Sequence, residues 1–191
     1  CGGATDVRTQ YAHAVLGRVC EKVIGTHDQA NAELVKSVEN AYRHTGISLA
    51  NQLTQAFPNI DMREVLQNVG TKWNIPTYHP SVGTGGYCIP LASQYVLQGA
   101  EKPSELTILE DTVETDDKMP ETVAASLAEI DVDSIGILGL AYKGDLKVDV
   151  LSPTKKISEY LTQEGVDVAV HDPYYDDEYI EEATGADSME F

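Results

Sequence analysis

The chain has 191 residues, of which 42% are hydrophobic, so it can build the cores of one or two domains. Its 31 acidic and 13 basic side chains give a formal net charge of −18. The acidic residues are spread along the whole chain, and such a surface repels polyanions, which excludes nucleic acid as an expected partner. The same diffuse charge is typical of proteins that work at high internal salt, and also of ordinary acidic proteins.

The cysteine and hydropathy patterns favour a reducing, cytoplasmic location. The three cysteines are odd in number and lack the spacing of a metal site or of a closed disulfide framework. The sequence contains no run of eighteen apolar residues, and its first ten residues lack the pattern of a secretion signal. We therefore expect no membrane partner and no metal site.

Helical patterns dominate the first part of the chain. Apolar residues spaced four apart predict a helix over residues 7–24, and a repeat of three and four predicts a long helix over residues 29–57. Asp61 and Glu64 resemble a capping box at the start of a third helix. Residues 70–90 are rich in proline and glycine, which predicts a structured loop.

Beyond this loop the sequence predicts helices over residues 91–99 and 104–118. Acidic residues 114–117 suit a hinge, and Pro120 suits the first turn of a further helix that ends at Ile130.

The pattern then changes to that of an α/β unit. The apolar run 134–140 predicts a buried parallel strand, Ser152-Pro153 opens a helix that ends at Gln163, and residues 166–170 predict a second strand. One such unit cannot cover both faces of its strands. Residues 176–191 show no further strand pattern, so we expect a sheet that is cut short, either in the gene or because the chain is a trimmed piece.

The predicted fold is therefore a mainly α central domain over residues 1–118, followed by a partial α/β, Rossmann-like domain with a parallel sheet over residues 119–191.

The loop sequence GTGGYCIP, residues 83–90, carries the most chemical information. Its glycines let the backbone approach a ligand and present N–H groups to anionic oxygens. Cys88 in this setting can act as a nucleophile. A lone cysteine is nevertheless more often a small buried apolar residue, so the loop alone favours a structural role.

Two further segments bear on this choice. Lys36 and Asn40 lie four residues apart on the long predicted helix and project from one side of it, although an ordinary solvated pair has the same spacing. The segment GILGLAYKGD, residues 136–145, places Lys143 at the carboxyl end of a predicted strand, where open α/β sheets bind ligands. It is not a complete G-x-G-x-x-G fingerprint.

Taken in order, these segments resemble the UDP-glucose/GDP-mannose dehydrogenase family, which includes UDP-N-acetyl-mannosamine dehydrogenases. The resemblance covers nearly the whole chain. It is carried by AELVKSVENAYR (32–43), by GTGGYCIP (83–90), and by LGLAYKGD (138–145) together with Ser152-Pro153 and HDP (171–173).

The resemblance implies a nucleotide-sugar 6-dehydrogenase, an oxidoreductase that converts the C6 hydroxyl of a UDP-sugar or related nucleotide sugar to a carboxylate with NAD. It implies that Cys88 forms a thiohemiacetal and then a thioester with the substrate. Lys36 would stabilise the oxyanion, and Asn40 would donate a hydrogen bond or position water. The implied assembly is a homodimer through the helical domain.

The resemblance also assigns substrate binding to residues of the loop and of the C-terminal domain. His79 occupies a place where relatives often carry a basic residue that faces the substrate phosphates, but a surface histidine of the loop fits the position equally well. The implied substrate-binding residues are Gly83, Gly85, Gly86, Tyr87, Tyr142, Lys143 and His79.

Three departures from the family pattern argue against turnover by this chain alone. An Asp normally stands four residues after the cysteine, where this sequence has Ala92, and an Arg normally stands where it has Val150. The sequence also lacks the N-terminal NAD-binding domain. We therefore expect no tight NAD binding and no catalysis by this chain alone.

Three alternatives remain open from the sequence. The first is a fragment or divergent copy of a nucleotide-sugar dehydrogenase. The second is a non-catalytic module that binds nucleotide sugar or forms a dimer. The third is a relative of 6-phosphogluconate or hydroxyacid dehydrogenases, and the cysteine loop opposes it because those enzymes use a Lys without a catalytic cysteine.

Overall fold

A computed structural model of the chain describes residues 1–190. Seven α-helices and three β-strands follow one another in these residues, with one 3-10 turn, Pro103–Glu105, between the fourth and fifth helices. The elements are α1 (Asp6–Leu16), α2 (Gln29–Ala56), α3 (Met62–Val69), α4 (Cys88–Gly99), α5 (Thr107–Ala128), β1 (Ser134–Leu138), α6 (Pro153–Gln163), β2 (Asp167–His171), α7 (Asp177–Thr184) and β3 (Asp187–Ser188).

The long helix α2 organises the helical part. Asp28 caps it by accepting a hydrogen bond from the backbone N–H of Asn31 at 2.8 Å, and the helix ends just before Pro58, where a proline disfavours helical backbone. It packs against α4 and α5. Its buried face is small and polar, unlike the apolar face of an ordinary core helix, and consists of Asn40, Ala41, His44, Ser48, Ala50 and Asn51.

Helix α1 is shorter than the predicted helix over residues 7–24. It ends at Leu16, where the N–H of Gly17 donates to the carbonyls of His13 and Val15 and closes the last turn. None of its residues is buried, so the four-residue spacing of its apolar side chains does not mark a core face. The third predicted helix is confirmed, because Asp61 accepts from the N–H of Glu64 at 3.1 Å at the start of α3.

The predicted hinge over residues 114–117 is wrong, because α5 continues through it and through Pro120. A proline inside a helix costs about 3 kcal/mol, since one backbone hydrogen bond is lost. Here Pro120 is buried, and α5 packs against α2 on one side and α6 on the other, which offsets that cost. The predicted domain boundary between residues 118 and 119 falls inside this helix.

The α/β part has three parallel strands in the order β1-β2-β3. In the first pair, Ser134 lies opposite Asp167 and Leu138 opposite His171. The expectation of no strand beyond residue 176 is wrong, since α7 and the two-residue strand β3 follow there. Strand β3 is short and polar, so its sequence has no apolar run to reveal it.

The buried core of this part lies between the sheet and helices α5, α6 and α7. Its members come from α6, β2 and α7, from the residues just after β1 and just before β3, and from the end of α5, while Ile135 and Ile137 of β1 are partly buried against them. The mainly α domain followed by a partial α/β domain with a parallel sheet is confirmed. The core residues are Ala124, Leu140, Ile157, Leu161, Val168, Val170, Ile180 and Ala186.

Candidate active site

The glycine-rich loop before Cys88 packs directly against Tyr142. A Cβ placed on Gly85 would lie 2.5 Å from the Cβ of Tyr142, and one placed on Gly86 would lie 2.7 Å from its Cζ. Gly86 also has a φ of 75°, which disfavours any other residue. Both positions therefore require glycine, and the ring of Tyr142 lies over the loop.

Backbone contacts strengthen this junction. The N–H of Gly86 donates to the carbonyl of Val150 at 2.7 Å. The start of the loop contacts α5, since a Cβ on Gly83 would lie 3.3 Å from Pro120. Gly83 also has a φ of 113°. The structure thus brings the loop, α5 and the segment after β1 together at one place.

Cys88 is the first residue of α4, and it is exposed. Its neighbour Tyr87 is at the N-cap position, is also exposed, and makes no side-chain cap hydrogen bond. The thiol therefore lies at a helix N-terminus whose first N–H groups have no capping side chain, an environment that favours a nearby negative charge.

Lys36 and Asn40 differ sharply in their surroundings. The Lys36 side chain is exposed, and its Nζ contacts Glu39 Oε1 at 2.8 Å; this hydrogen bond and the lysine charge hold the pKa of Glu39 below its usual value. Asn40 is 4% exposed, and its Oδ1 accepts no hydrogen bond from any of residues 1–190. A buried oxygen without a donor costs about 1–3 kcal/mol of stability, so the burial of this unpaired oxygen needs an explanation.

Helices α2 and α4, which carry these three residues, pack side by side. A hydrogen bond of 2.8 Å between His44 Nδ1 and Ser93 Oγ joins them, one helical turn beyond Asn40 and in the second turn of α4. The convergence of Cys88, Lys36 and Asn40 on one substrate stays a prediction.

A cleft of about 580 Å³ lies beyond the carboxyl ends of β1 and β2. Tyr142 and Lys143 line it, and both side chains are exposed. This is the edge at which open α/β sheets bind ligands. The other lining residues are Leu138, Gly139, Ala141, Gly144, Asp145, His171, Asp172, Pro173 and Tyr174.

Asp172 shapes the floor of this cleft. Its Oδ2 accepts from the N–H groups of Leu140 and Ala141, both at 2.8 Å, and its Oδ1 accepts from the N–H of Tyr174 at 2.9 Å. Burial opposes the charge, but the three donors together outweigh it and hold the pKa of Asp172 below its usual value. The carboxylate thereby fixes the turn that presents Tyr142.

His79 lies exposed on the loop between α3 and α4. Its contact with a substrate phosphate stays a prediction.

Sequence reasoning missed a buried polar network behind the loop. His44, Ser93 and Asp116 are all buried, and Asp116 accepts two hydrogen bonds from Thr84. The available signals were a histidine one turn after Asn40 and an acidic residue in the run that we interpreted as a hinge.

Two other kinds of feature are absent from the described residues. Within residues 1–190, no group of three or more His, Cys, Asp or Glu side chains is placed to hold a metal ion. In the same residues, no helix combines the length and the apolar character needed to cross a membrane.

The helical domain with its thiol loop and the parallel α/β unit each match a domain of one known enzyme family. Residues 30–118 match the central domain of the UDP-glucose/GDP-mannose dehydrogenase family, and residues 136–190 match its UDP binding domain. The chain belongs to this family.

Curated relatives and solved structures agree with this assignment. The chain is 29% identical over 189 residues to a UDP-N-acetyl-D-mannosamine dehydrogenase of Methanococcus aeolicus, covering 92% of this chain and 41% of that protein. Over 152 residues it is 29% identical to the UDP-glucose 6-dehydrogenase AglM of Haloferax volcanii, covering 75% and 35% respectively. The chain thus spans less than half the length of these relatives.

Two solved structures show the same fold. The UDP-N-acetyl-mannosamine dehydrogenase Cap5O from Staphylococcus aureus is similar with a TM-score of 0.77 and 27% identity, over 92% of this chain and 43% of that chain. A UDP-glucose dehydrogenase from Pyrobaculum islandicum is similar with a TM-score of 0.84 and 24% identity, over 99% and 46%. The second likeness concerns the fold alone.

Proposed function

We propose that this chain is a piece or divergent copy of an NAD-dependent nucleotide-sugar dehydrogenase, and that it supplies the thiol and the nucleotide-sugar site. One observation carries the proposal: Tyr142 packs on Gly85 and Gly86, so the loop that leads to Cys88 adjoins the cleft of the UDP-binding domain. A substrate whose nucleotide occupies this cleft would extend its sugar toward the loop.

In the proposed chemistry the sugar C6 alcohol is first oxidised to an aldehyde by loss of a hydride and a proton. The Cys88 thiolate then adds to the aldehyde carbon and forms a thiohemiacetal, whose oxygen takes up a proton. Loss of a second hydride and that proton leaves a thioester, which water hydrolyses to the carboxylate and the free thiol. NAD, held outside the described residues, would supply the acceptor for both hydrides.

Lys36 and Asn40 have electrostatic roles in this scheme. The Lys36 ammonium would leave Glu39 and stabilise the developing oxyanion, while the Asn40 amide would donate to that oxygen or orient the attacking water. Support for the second of these roles comes from the buried Oδ1 of Asn40, which has no donor among the described residues and could accept a hydrogen bond from that water.

The described residues do not fit an NAD site. After β1 the chain runs through an irregular loop, residues 139–152, before α6 begins. A dinucleotide fingerprint instead makes a tight glycine turn straight into a helix N-terminus. We therefore place NAD binding outside these residues, and no catalytic step is assigned to a residue that would hold it.

The nucleotide is proposed to bind in the 580 Å³ cleft, with Tyr142 and Lys143 as its contacts from this part. Gly83, Gly85, Gly86 and Tyr87 would follow the sugar, and His79 would face the phosphates. A homodimer through the helical domain and a cytoplasmic location complete the proposal.

A second function, a non-catalytic nucleotide-sugar or dimerisation module, is favoured by one specific observation. Ala92 is buried at the position where the family carries an Asp, so no carboxylate follows Cys88 on this face of α4 to assist hydrolysis. Val150 likewise stands where the family has an arginine, and its backbone carbonyl accepts a hydrogen bond from the N–H of Gly86.

The experiment that tests the first function uses the natural gene product that contains this chain. NADH formation with UDP-sugars is measured before and after Cys88→Ser, with Cys20→Ser as the matched control because that thiol is also exposed. Loss of NADH only with Cys88→Ser supports the nucleophile role, and activity that survives this change contradicts it.

The second function is tested by calorimetry of the 191-residue chain with UDP. Two results together support a binding module. The chain releases a heat of binding that disappears in Lys143→Ala, and the gene product forms no NADH. The absence of both heat and thermal stabilisation leaves only an assembly role.

A further inference from the structure

We propose that Asp116 and His44 are positioning residues that hold the loop on both sides of Cys88. Asp116 is buried on α5, and its Oδ1 accepts from the backbone N–H of Thr84 at 2.9 Å. Its Oδ2 accepts from the hydroxyl of the same residue. One carboxylate therefore fixes both the backbone and the side chain of a loop residue that lies four positions before the thiol.

His44 connects Asp116 to the part of the chain that follows the thiol. Its ring is 1% exposed, with Nδ1 2.8 Å from Ser93 Oγ and Nε2 3.2 Å from Asp116 Oδ2. The second contact is close, but its angle does not suit a hydrogen bond, so the ring of His44 packs against the Asp116 carboxyl group. Ser93 lies five positions after Cys88 on α4, so the network binds the chain before and after the thiol.

The loop needs such an anchor. It has three glycines at positions 83, 85 and 86, two of which have positive φ, and glycine loses more conformational freedom on ordering than any other residue. Hydrogen bonds to an ionised carboxylate are about twice as strong as neutral ones, and burial strengthens them further. Asp116 accepts both hydrogen bonds that Thr84 donates within the described residues.

The same three residue types, Ser, His and Asp, also occur in hydrolytic triads, but this network does not support a nucleophile. Ser93 is 0% exposed, so its hydroxyl cannot meet a substrate in this structure. The network is a support for the thiol loop. Its link to catalysis depends on the proposed function of Cys88, but the positioning itself does not.

The test is amide hydrogen exchange across the 191-residue chain, without substrate or cofactor. Thr84→Val removes the hydroxyl donor at nearly constant shape, and we expect exchange of residues 83–88 to become at least tenfold faster. Thr84→Ser keeps the donor and should stay within twofold of the natural chain. His44→Gln should accelerate exchange in the same residues at least threefold.

Ser48→Ala is the matched control. The buried Ser48 hydroxyl donates to the carbonyl of Thr112 at 3.1 Å and joins α2 to α5 without touching the loop. If Ser48→Ala accelerates exchange of the loop as much as Thr84→Val does, the loop depends on packing in general and not on this network. That result would overturn the proposal. Unchanged exchange in Thr84→Val and His44→Gln would overturn it as well.

The two proposals fail separately. If Cys88→Ser retains NADH formation while the exchange pattern is as expected, the nucleophile role is lost and the positioning stands. If NADH formation depends on Cys88 but Thr84→Val leaves loop exchange unchanged, the positioning is lost and the nucleophile stands.

Discussion

Asp172 illustrates how a single residue can define the floor of a binding cleft. Its carboxylate accepts from three backbone N–H groups of the two loops that follow β1 and β2. Replacing it with Asn removes the charge and turns one acceptor into a donor. We expect Asp172→Asn to lower the free energy of unfolding at pH 7 by about 2 kcal/mol, measured by urea denaturation.

The pH dependence of this effect follows from the lowered pKa of Asp172 in the folded chain. A carboxyl whose folded pKa lies below its unfolded value contributes stability above the unfolded pKa, about 4, and this contribution is lost as the pH falls through the folded pKa. The difference between the natural chain and Asp172→Asn should therefore shrink below about pH 4. Asp167→Asn, at an exposed position that opens β2, is the control and should show no comparable change.

Single residues also mark the limit of prediction from sequence. Cys88 and the glycines around it were recognisable because the motif is continuous. His44 and Ser93, which are 49 positions apart, and Thr84 and Asp116, which are 32 apart, become partners only through helix packing. Nothing local in the sequence distinguishes such partners from ordinary surface residues.

At the scale of elements, α2 contains a close contact that overrides helix propensity. A Cβ on Gly46 would lie 2.3 Å from the Cε2 of Tyr78, so the ring packs directly on the helix backbone. Alanine is better than glycine in a helix by about 1 kcal/mol, while overpacking costs about 1–3 kcal/mol. We expect Gly46→Ala to be destabilising by about 1 kcal/mol, measured by urea unfolding.

Two further variants separate the steric clash with Tyr78 from the effect of helix propensity. Gly99 ends α4, and a Cβ there would meet nothing within 4 Å, so Gly99→Ala should be neutral or stabilising. In a Tyr78→Ala background, Gly46→Ala should also stop being destabilising. A Gly46→Ala chain as stable as the natural one would show that Tyr78 moves away without cost.

Elements with a local signal were the ones that sequence could predict. The start of α3 at the capping Asp61 and the two longer strands follow from a cap and from apolar runs. Helix α5 was predicted in two pieces because Pro120 favours a break, and burial against α2 and α6 decides otherwise. The two-residue strand β3 exists only because β2 offers it an edge.

At the scale of the whole molecule, the net charge of −18 should make stability depend on salt. Repulsion among the acidic residues opposes the compact state, and added ions screen it. We expect the thermal unfolding midpoint to rise by several degrees between 0.1 and 1 M KCl at pH 7 and then to level off, because the screening length is already about 3 Å at 1 M.

Calorimetric scans at increasing KCl concentration test this expectation. Sucrose at matched osmolality is the control, because it stabilises proteins by being excluded from their surface and does not screen charge. A midpoint that keeps rising in proportion to salt beyond 1 M would indicate exclusion of salt from the surface instead of screening. A flat curve would show that the acidic residues repel equally in the unfolded chain.

The continuity of α5 has a consequence for motion. One continuous helix carries Asp116, which holds the thiol loop, and Ala124, which packs inside the core beneath the parallel strands. Pro120 lies between these two residues and removes one backbone hydrogen bond, so the helix bends most easily there. A tilt of the strands is therefore passed on to the loop, except for the part that bending at Pro120 absorbs. If substrate entry requires the cleft to widen, we expect the joint at Pro120 or in the irregular stretch 139–152.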